Sequence, residues 1–437
     1  MSDMYRLPED GQSADRVLSD IKQLKAAMTA RDRGRLSSTA FQGAAVGGEL
    51  VRQAYTEFLE WNALFSFQEA PAAKLESDVL DMCIALAGGD STARGNLTSG
   101  GTESNFCALA AMRSWAREAY PQIVKPNVVA PYSTHATVHK VARYLDIQVV
   151  TVPQRQDLTA DVDALAQVVD ENTIGIVASA PNWPYGHVDP IEQLGTLALE
   201  RGIWLHVDAC VGGYVLPFMR ELGEDIPAYD LSVPGVRSLS ADLHKYGYAP
   251  KPLSSVLWAS QVEQAYHYMP ITEWACGLYL SQSFVGSRPL APVAAAWAMM
   301  HFWGRQGYLD NARQLLDLKA RLQTACDEID GIRSWPTQGP LMMIASDDFN
   351  IQLVVGGMEQ RGWKLLGVTT PPAIHITLDV MTPESQALFV DDLRQVVEAV
   401  LAGEIDEEGL LSYGGVGAEE DAPKWLASAI EIFGDGH

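Results

Sequence analysis

Three short stretches of this sequence carry residues that can do chemistry. The first is TSGGTESN (98–105), at the start of a helical pattern. Gly100 and Gly101 let the backbone come close to a ligand. The free N–H groups and the helix dipole then favour an anion, and Thr102 and Ser104 add hydroxyls. A phosphate fits this stretch, and so does an ordinary helix start with a Ser/Thr-x-x-Glu capping box. The second is LHVDAC (205–210), where Asp208 ends an apolar run. A carboxylate buried there is costly without a partner. A protonated pyridine nitrogen would supply one, and the bond would keep that ring an electron sink. His-x-Asp with a distant His also matches the ligand set of a non-haem iron oxygenase. Those sites sit in antiparallel barrels, whereas helical patterns flank this strand. The third is SLSADLHKYGYAPK (238–251), in which Lys245 follows a short apolar strand and an Asp-x-His. Beside a cationic or apolar ring the pKa of a buried lysine would fall, making it a nucleophile and a base. A lone lysine is more commonly solvated. His135 and His139 have a spacing that suits a metal on a helix. No glutamate lies between them as in HExxH, a structural or ring-stacking role fits better, and no metal is expected.

The elements around these stretches follow from periodicity. Residues 12–33, 47–60 and 75–87 read as helices. From about residue 96, short apolar β-rich runs alternate with helical patterns. Strands are expected at 127–130, 147–152, 174–178, 203–207, 238–241 and 255–258, and helices at 103–120, 136–144, 162–169 and 191–201. Such alternation argues for an α/β domain with a mostly parallel sheet, which binds ligands at the carboxyl ends of its strands. A long helical run, 290–329, leads into an α+β region with strands at 341–345 and 373–378. An acidic tail ends in an amphipathic helix, 422–433. The expected division is an N-terminal arm (1–60), a large domain (61–305) and a small C-terminal domain (306–437). A phosphate loop, then a His, then an Asp ending a strand, then a Lys is the order of a pyridoxal 5′-phosphate (PLP) enzyme of fold type I.

Composition narrows the setting. The 437 residues are 47% hydrophobic, enough for a large core and more than one compact core usually holds. A net charge of −24 repels nucleic acid and anionic membranes, so neither is an expected partner. The five cysteines are odd in number and form no CxxC, which reads as reduced thiols in a cytoplasmic protein. The N-terminus lacks the apolar core of a signal peptide. The most apolar stretch, 290–302, contains Pro292 and His301 and is too short to span a bilayer.

The chain resembles the group II PLP-dependent decarboxylases, and among them most the sphingosine-1-phosphate lyases. The resemblance rests on SGGTESN (99–105), APYSTHATVHKVARYLDIQVVTVP (130–153), HVDACVGGY (206–214), SADLHKYGYAPK (240–251), VGSRP (285–289), WAMMHFWGRQGY (297–308) and GWKLLGVTTPPAIHITL (362–378). Nearly everything after about residue 35 is covered, and the joint order of the motifs is highly specific. The resemblance implies the aspartate aminotransferase-like fold: a large domain with a mostly parallel seven-stranded sheet, and a smaller α+β C-terminal domain. It implies that Lys245 carries PLP as a Schiff base, that Asp208 pairs with the pyridine nitrogen and that His135 stacks on the ring. Gly101, Thr102 and His244 would hold the phosphate. Gly286 and Ser287 would reach it from the neighbouring subunit, which makes a homodimer with shared sites obligatory. Lys251 and Tyr279 match residues near the substrate. Eukaryotic members carry a membrane anchor, and none is expected here. In the lyases a Tyr near the start of the domain and a later His, in a His-Pro-Asp setting, line the substrate pocket. Phe41 and Phe65 occupy those positions here, which puts a phosphorylated sphingoid substrate in doubt.

The resemblance implies a lyase that breaks a bond at Cα of an amine or amino-acid substrate through an external aldimine. The expected reaction is retro-aldol cleavage by an aldehyde-lyase; the alternative is an amino-acid decarboxylase. A non-catalytic PLP-fold protein is a third possibility, and the intact Lys245 and Asp208 argue against it.

Overall fold

The computed structural model describes residues 11–29, 41 and 47–406. The helix expected at 422–433 lies outside the described residues. In chain order the first helices are α1 (Ala14–Thr29), α2 (Gly48–Glu57), α3 (Ala70–Leu86), α4 (Gly101–Ala119), α5 (Ala136–Tyr144), α6 (Val162–Val168), α7 (Ile191–Arg201), α8 (Leu216–Glu221), α9 (Gln261–Ala265) and α10 (Ala291–Asp327). Interleaved with them are β1 (Arg94–Thr98), β2 (Asn127–Pro131), β3 (Gln148–Val152), β4 (Thr173–Ser179), β5 (Trp204–Asp208), β6 (Val236–Ala241) and β7 (Ser254–Trp258). These strands form one seven-stranded sheet in the order β1-β7-β6-β5-β4-β2-β3. β7 runs antiparallel to β1 and β6, and the remaining pairs are parallel. This is the expected fold type I sheet.

The central strands β2, β4 and β5 are buried at every residue. Parallel strands covered by helices on both faces need continuous apolar runs, and AsnValValAlaPro and ThrIleGlyIleValAlaSer supply them. α4 lies against this sheet with small side chains, Cys107, Ala108 and Ala111, on its buried face. The approach is tight. A methyl at Gly175 in β4 would stand 2.5 Å from Met112 Sδ on α4 and 2.7 Å from the Trp204 carbonyl oxygen. Glycine there lets the helix that begins at Gly101 sit close to the strand ends.

The chain divides into two units, the larger comprising Ala40–Asp317 with Thr337–Leu341. The division falls within α10, between Asp317 and Leu318, where the sequence reading placed it at 305/306. The expected long helix is interrupted at Gly304, whose φ of 54° and ψ of −173° are not helical. α1 groups with the smaller unit. That unit also holds β8 (Arg333–Trp335), β9 (Leu341–Ala345), α11 (Gln352–Gln360), β10 (Leu366–Thr369), β11 (Pro372–Thr377) and α12 (Pro383–Leu401). Its strands form a four-stranded sheet in the order β10-β11-β9-β8.

Candidate active site at the carboxyl ends of the parallel strands

The start of α4 has no side-chain cap. Its N-cap residue is Gly100, and Glu103 reaches back to accept from Ser99 N–H at 2.6 Å. Half of the capping box therefore forms, and the first-turn N–H groups are left without a side-chain partner, which suits an anion. A methyl at Gly101 would meet Cys210 Sγ at 2.7 Å and the Asp242 carboxylate oxygens at 3.1 Å. Only glycine allows that approach. Thr102 Oγ1 lies 3.3 Å from Thr137 Oγ1 in the first turn of α5. His135 caps α5, its Nδ1 accepting from Thr137 N–H at 3.2 Å, so the ring proton sits on Nε2. Burial pushes the His135 pKa down, against the pull of Asp208, and the ring stays neutral.

Asp208 ends β5 and is buried. It accepts from Cys210 N–H at 3.0 Å and from Asn105 Nδ2 at 3.1 Å. Burial alone would raise its pKa. The electrostatic influence of the His135 ring and the Cys210 donors outweigh that, and the carboxyl is held below its ordinary range.

Lys245 lies in the turn after β6. Its Nζ is 3.0 Å from Asp242 Oδ2. Burial would lower its pKa, but the Asp242 carboxylate overrides it and the net shift is upward. The lowering expected for a lysine beside a cationic or apolar ring is therefore not found in the chain alone, because a carboxylate is the nearer neighbour. Asp242 also accepts from Ser254 Oγ at 2.5 Å. His244 accepts from Leu253 N–H through Nδ1 at 3.2 Å, which leaves Nε2 toward Asp242 at 3.6 Å. A methyl at Gly100 would stand 3.5 Å from His244 Cε1, so this ring borders the start of α4. Lys251 has its pKa lowered by partial desolvation and by the charge of Lys245. Phe41 packs edge-on against Tyr246, with ring centroids 4.9 Å apart.

Gly286 and Ser287 lie on a separate loop. Asn62 Nδ2 donates to Ser287 Oγ at 3.0 Å, and Asn62 Oδ1 accepts from Arg288 N–H at 3.2 Å. Arg288 forms an ion pair with buried Glu76. Val285 N–H donates to the other oxygen of Glu103 at 3.1 Å. Tyr279 belongs with this loop, its hydroxyl 3.7 Å from where a methyl on Gly286 would be. Phe65 is 44% exposed and packs edge-on against Phe67. The structure thus gathers Gly101, Thr102, His135, Asp208, His244 and Lys245 at the strand ends, and sets Gly286, Ser287 and Tyr279 on a neighbouring loop tied in through Glu103. His139 is exposed on α5. Among the described residues no group of three His, Cys, Asp or Glu side chains could hold a metal ion.

The chain matches the pyridoxal-dependent decarboxylase conserved domain over residues 6–330. It belongs to that family. Similar proteins include the sphingosine-1-phosphate lyase of Arabidopsis thaliana, 38% identical over 406 residues, covering 89% of this chain and 73% of that protein. Sphingosine-1-phosphate lyase 1 of Rattus norvegicus is 33% identical, covering 90% of this chain and 70% of its own length. Among solved structures, a sphingosine-1-phosphate lyase of Burkholderia pseudomallei superposes with a TM-score of 0.90 at 32% identity, covering 100% of this chain and 98% of that one. A Lactobacillus brevis glutamate decarboxylase, at 18% identity, covers 91% of this chain and 95% of its own with a TM-score of 0.77, and shows the shared fold.

The protein is therefore a PLP-dependent lyase of fold type I. The residues in place fit that cofactor: an uncapped helix start for a phosphate, an ionised buried carboxylate for a pyridinium and a lysine amine. Buried Ser133 and Thr134, which lead into His135, have hydroxyls with no hydrogen-bond partner among the described residues.

Several polar residues here escaped the sequence reading. Asn105, His206, Ser238 and Ser240 surround Asp208, and Glu103 joins two loops. His206 is fully buried, and its pKa is pushed down to about 4. Between that value and the ordinary 6.5, the unfolded chain binds a proton that the folded chain refuses. This group's contribution to stability therefore falls as pH drops through the window, by on the order of 3 kcal/mol in full. His206→Gln should flatten the pH dependence of the urea midpoint between those two values. An unchanged slope would show that His206 is not held neutral.

Proposed function

We propose that the chain is an aldehyde-lyase that splits the Cα–Cβ bond of a β-hydroxy amine. The observation that carries this is the likeness to sphingosine-1-phosphate lyases across the whole fold, with Lys245, Asp208 and His135 gathered at one edge of the sheet. PLP, when bound, supplies an electron sink conjugated with the bond that breaks. The residues do the rest. The uncapped N–H groups at Gly101 and Thr102, with His244, hold the phosphate. Ionised Asp208 would keep a proton on the ring nitrogen, and His135 would stack on the ring. Lys245 Nζ is the amine that would hold the cofactor until a substrate amine takes its place. Asp242 Oδ2, 3.0 Å away, is placed to take the proton that Nζ must lose.

Phe41 and Phe65 favour a second reading, an amino-acid decarboxylase. A probable L-tyrosine/L-aspartate decarboxylase of Methanothermobacter thermautotrophicus is 31% identical over 75% of this chain. Product analysis separates the two: an aldehyde in one case, carbon dioxide in the other.

We infer a homodimer with composite sites. The loop holding Gly286 and Ser287 is fixed from behind by Asn62, Glu76 and Glu103, so its outer side is free to serve a neighbour. Large apolar side chains stand exposed in this region, among them Trp61 (54%), Phe67 (53%), Trp274 (53%) and Phe284 (66%). Exposure on that scale supports a second copy as the cover. All five cysteines are free, which agrees with a reducing, cytoplasmic setting.

Borohydride reduction of the loaded enzyme should fix the cofactor on Lys245, and Lys245→Ala should abolish the yellow colour. A label on any other lysine by peptide mass mapping overturns that assignment. Mixing a Lys245→Ala subunit with one altered at Ser287 should restore one good site per heterodimer. A stable, active monomer by light scattering rules composite sites out.

The substrate reading has its own test. Phe41 and Phe65 present rings where the lyases present a hydroxyl and an imidazole. Each lost charge-assisted hydrogen bond costs on the order of 1.5–3 kcal/mol. Two such losses lower efficiency toward sphingosine-1-phosphate by roughly a hundredfold or more. Steady-state cleavage should be weak in the wild type and should rise in the Phe41→Tyr/Phe65→His double mutant. Wild-type turnover equal to that of an authentic lyase ends the idea.

A further inference from the structure

Behind Asp208 a file of hydrogen bonds runs through the middle of the sheet, with the Ser240 hydroxyl touching its Asn105 and Asp208 ends at 3.5 and 3.4 Å. Trp204 Nε1–H donates to Ser238 Oγ at 2.8 Å. Ser238 Oγ lies 2.9 Å from His206 Nδ1. His206 Nε2 lies 2.9 Å from Asn105 Oδ1, and Asn105 Nδ2 lies 3.1 Å from Asp208 Oδ2. Every member is buried.

The two ends fix the direction of every bond between them. An indole N–H can only donate, and an ionised carboxylate can only accept. Asn105 must therefore turn its NH2 toward Asp208 and its oxygen toward His206. His206 must carry its proton on Nε2. Its Nδ1 must accept the Ser238 hydroxyl proton, while the Ser238 oxygen accepts from Trp204. With a neutral imidazole no other assignment satisfies all four contacts. An imidazolium would reverse the Ser238 contact, and burial of His206 disfavours that charged form. Apolar side chains of similar shape would fill the same volume without polar groups that need partners. The chain instead places four polar residues in line behind one carboxylate.

We propose that Trp204, Ser238, His206 and Asn105 form a one-way relay that aims Asp208 and keeps it ionised, and so sets how firmly the cofactor's ring nitrogen holds its proton. None of the four is assigned a contact with the cofactor; they are positioning residues that act through Asp208. The proposal deepens the functional reading above and rests on Asp208 as the partner of the ring nitrogen.

The test uses the holoenzyme and four variants: Asp208→Asn as the control, then Asn105→Asp, Ser238→Ala and His206→Gln. The readouts are the pH titration of bound-cofactor absorbance, the PLP dissociation constant, kcat and KM separately, and the urea midpoint. Asp208→Asn should move the absorbance titration strongly. Asn105→Asp replaces the donated N–H with a second carboxylate against the first and should move it as well. Ser238→Ala should weaken PLP binding roughly three- to tenfold, the worth of about one buried hydrogen bond, and lower kcat more than it changes KM. His206→Gln keeps an N–H for Asn105 and should sit between wild type and Asn105→Asp. In the protein without PLP, selective 15N-histidine labelling should show His206 neutral with its proton on Nε2. A charged ring, or a proton on Nδ1, overturns the direction of the relay. If Asp208→Asn moves the titration while the other three change only the urea midpoint, the relay is structural and the proposal is wrong. If Asp208→Asn moves nothing, the assignment of Asp208 has failed, and the proposal falls with it on that separate ground.

Discussion

Asp208 keeps its charge at the carboxyl end of β5 with 8% of its surface exposed. Much of the surrounding sheet is arranged to make that tolerable. A carboxylate buried without donors would take up a proton, and a neutral acid could not hold a pyridinium. Its donors come from three elements: the Cys210 backbone just after β5, Asn105 from the first turns of α4 and the Ser240 hydroxyl in β6. The close seating of α4 that glycine permits at position 175 is therefore also an electrostatic requirement. Were the helix to sit further out, Asn105 would lose its reach.

The lysine side of the site is held by a different device. Tyr246, Gly247 and Tyr248 follow Lys245 directly, and α10 grips the last two of them. Asn311 Nδ2 donates to Tyr248 Oη at 3.0 Å, Tyr308 Oη donates to the Gly247 carbonyl at 3.0 Å, and Trp303 packs on the Tyr248 ring. Tyr248 has a φ of 55°, a left-handed conformation that costs a bulky residue about 1–3 kcal/mol. The bonds from α10 hold it there, and so fix the path of the chain from Lys245 to Lys251.

Periodicity made most of the large unit legible. The helices expected at 136–144 and 191–201 appear as α5 and α7 with the same bounds, and the six expected strands lie within a residue or two of β2 to β7. β1 escaped because Arg-Gly-Asn-Leu-Thr offers one large apolar side chain; its buried Asn96 is satisfied by Trp258 and Gln264 through hydrogen bonds rather than by apolar packing. β8 and β10 escaped because they are short edge strands. The Gly304 break had a visible sign, a glycine inside a helical run, but composition does not say whether such a glycine bends a helix or merely sits in it. The polar file behind Asp208 was hidden for another reason. His206 faces Ser238 only because β5 and β6 shift register between Leu205 and His206. Pairing register is a property of two strands together, and neither strand displays it alone.

Glu103 is a small residue count with a wide reach. Its two oxygens hold the main chain at Ser99 and at Val285, segments far apart in sequence. For protein engineering this makes the two loops one exchangeable part. A graft that imports a foreign 282–288 segment to alter the pocket must preserve a main-chain N–H where Val285 offers one, or it disturbs the glycine turn at 99–101 as well. Selection on either loop in nature faces the same bookkeeping, so variation in the two should travel together across lineages, with the glutamate as their fixed hinge pin.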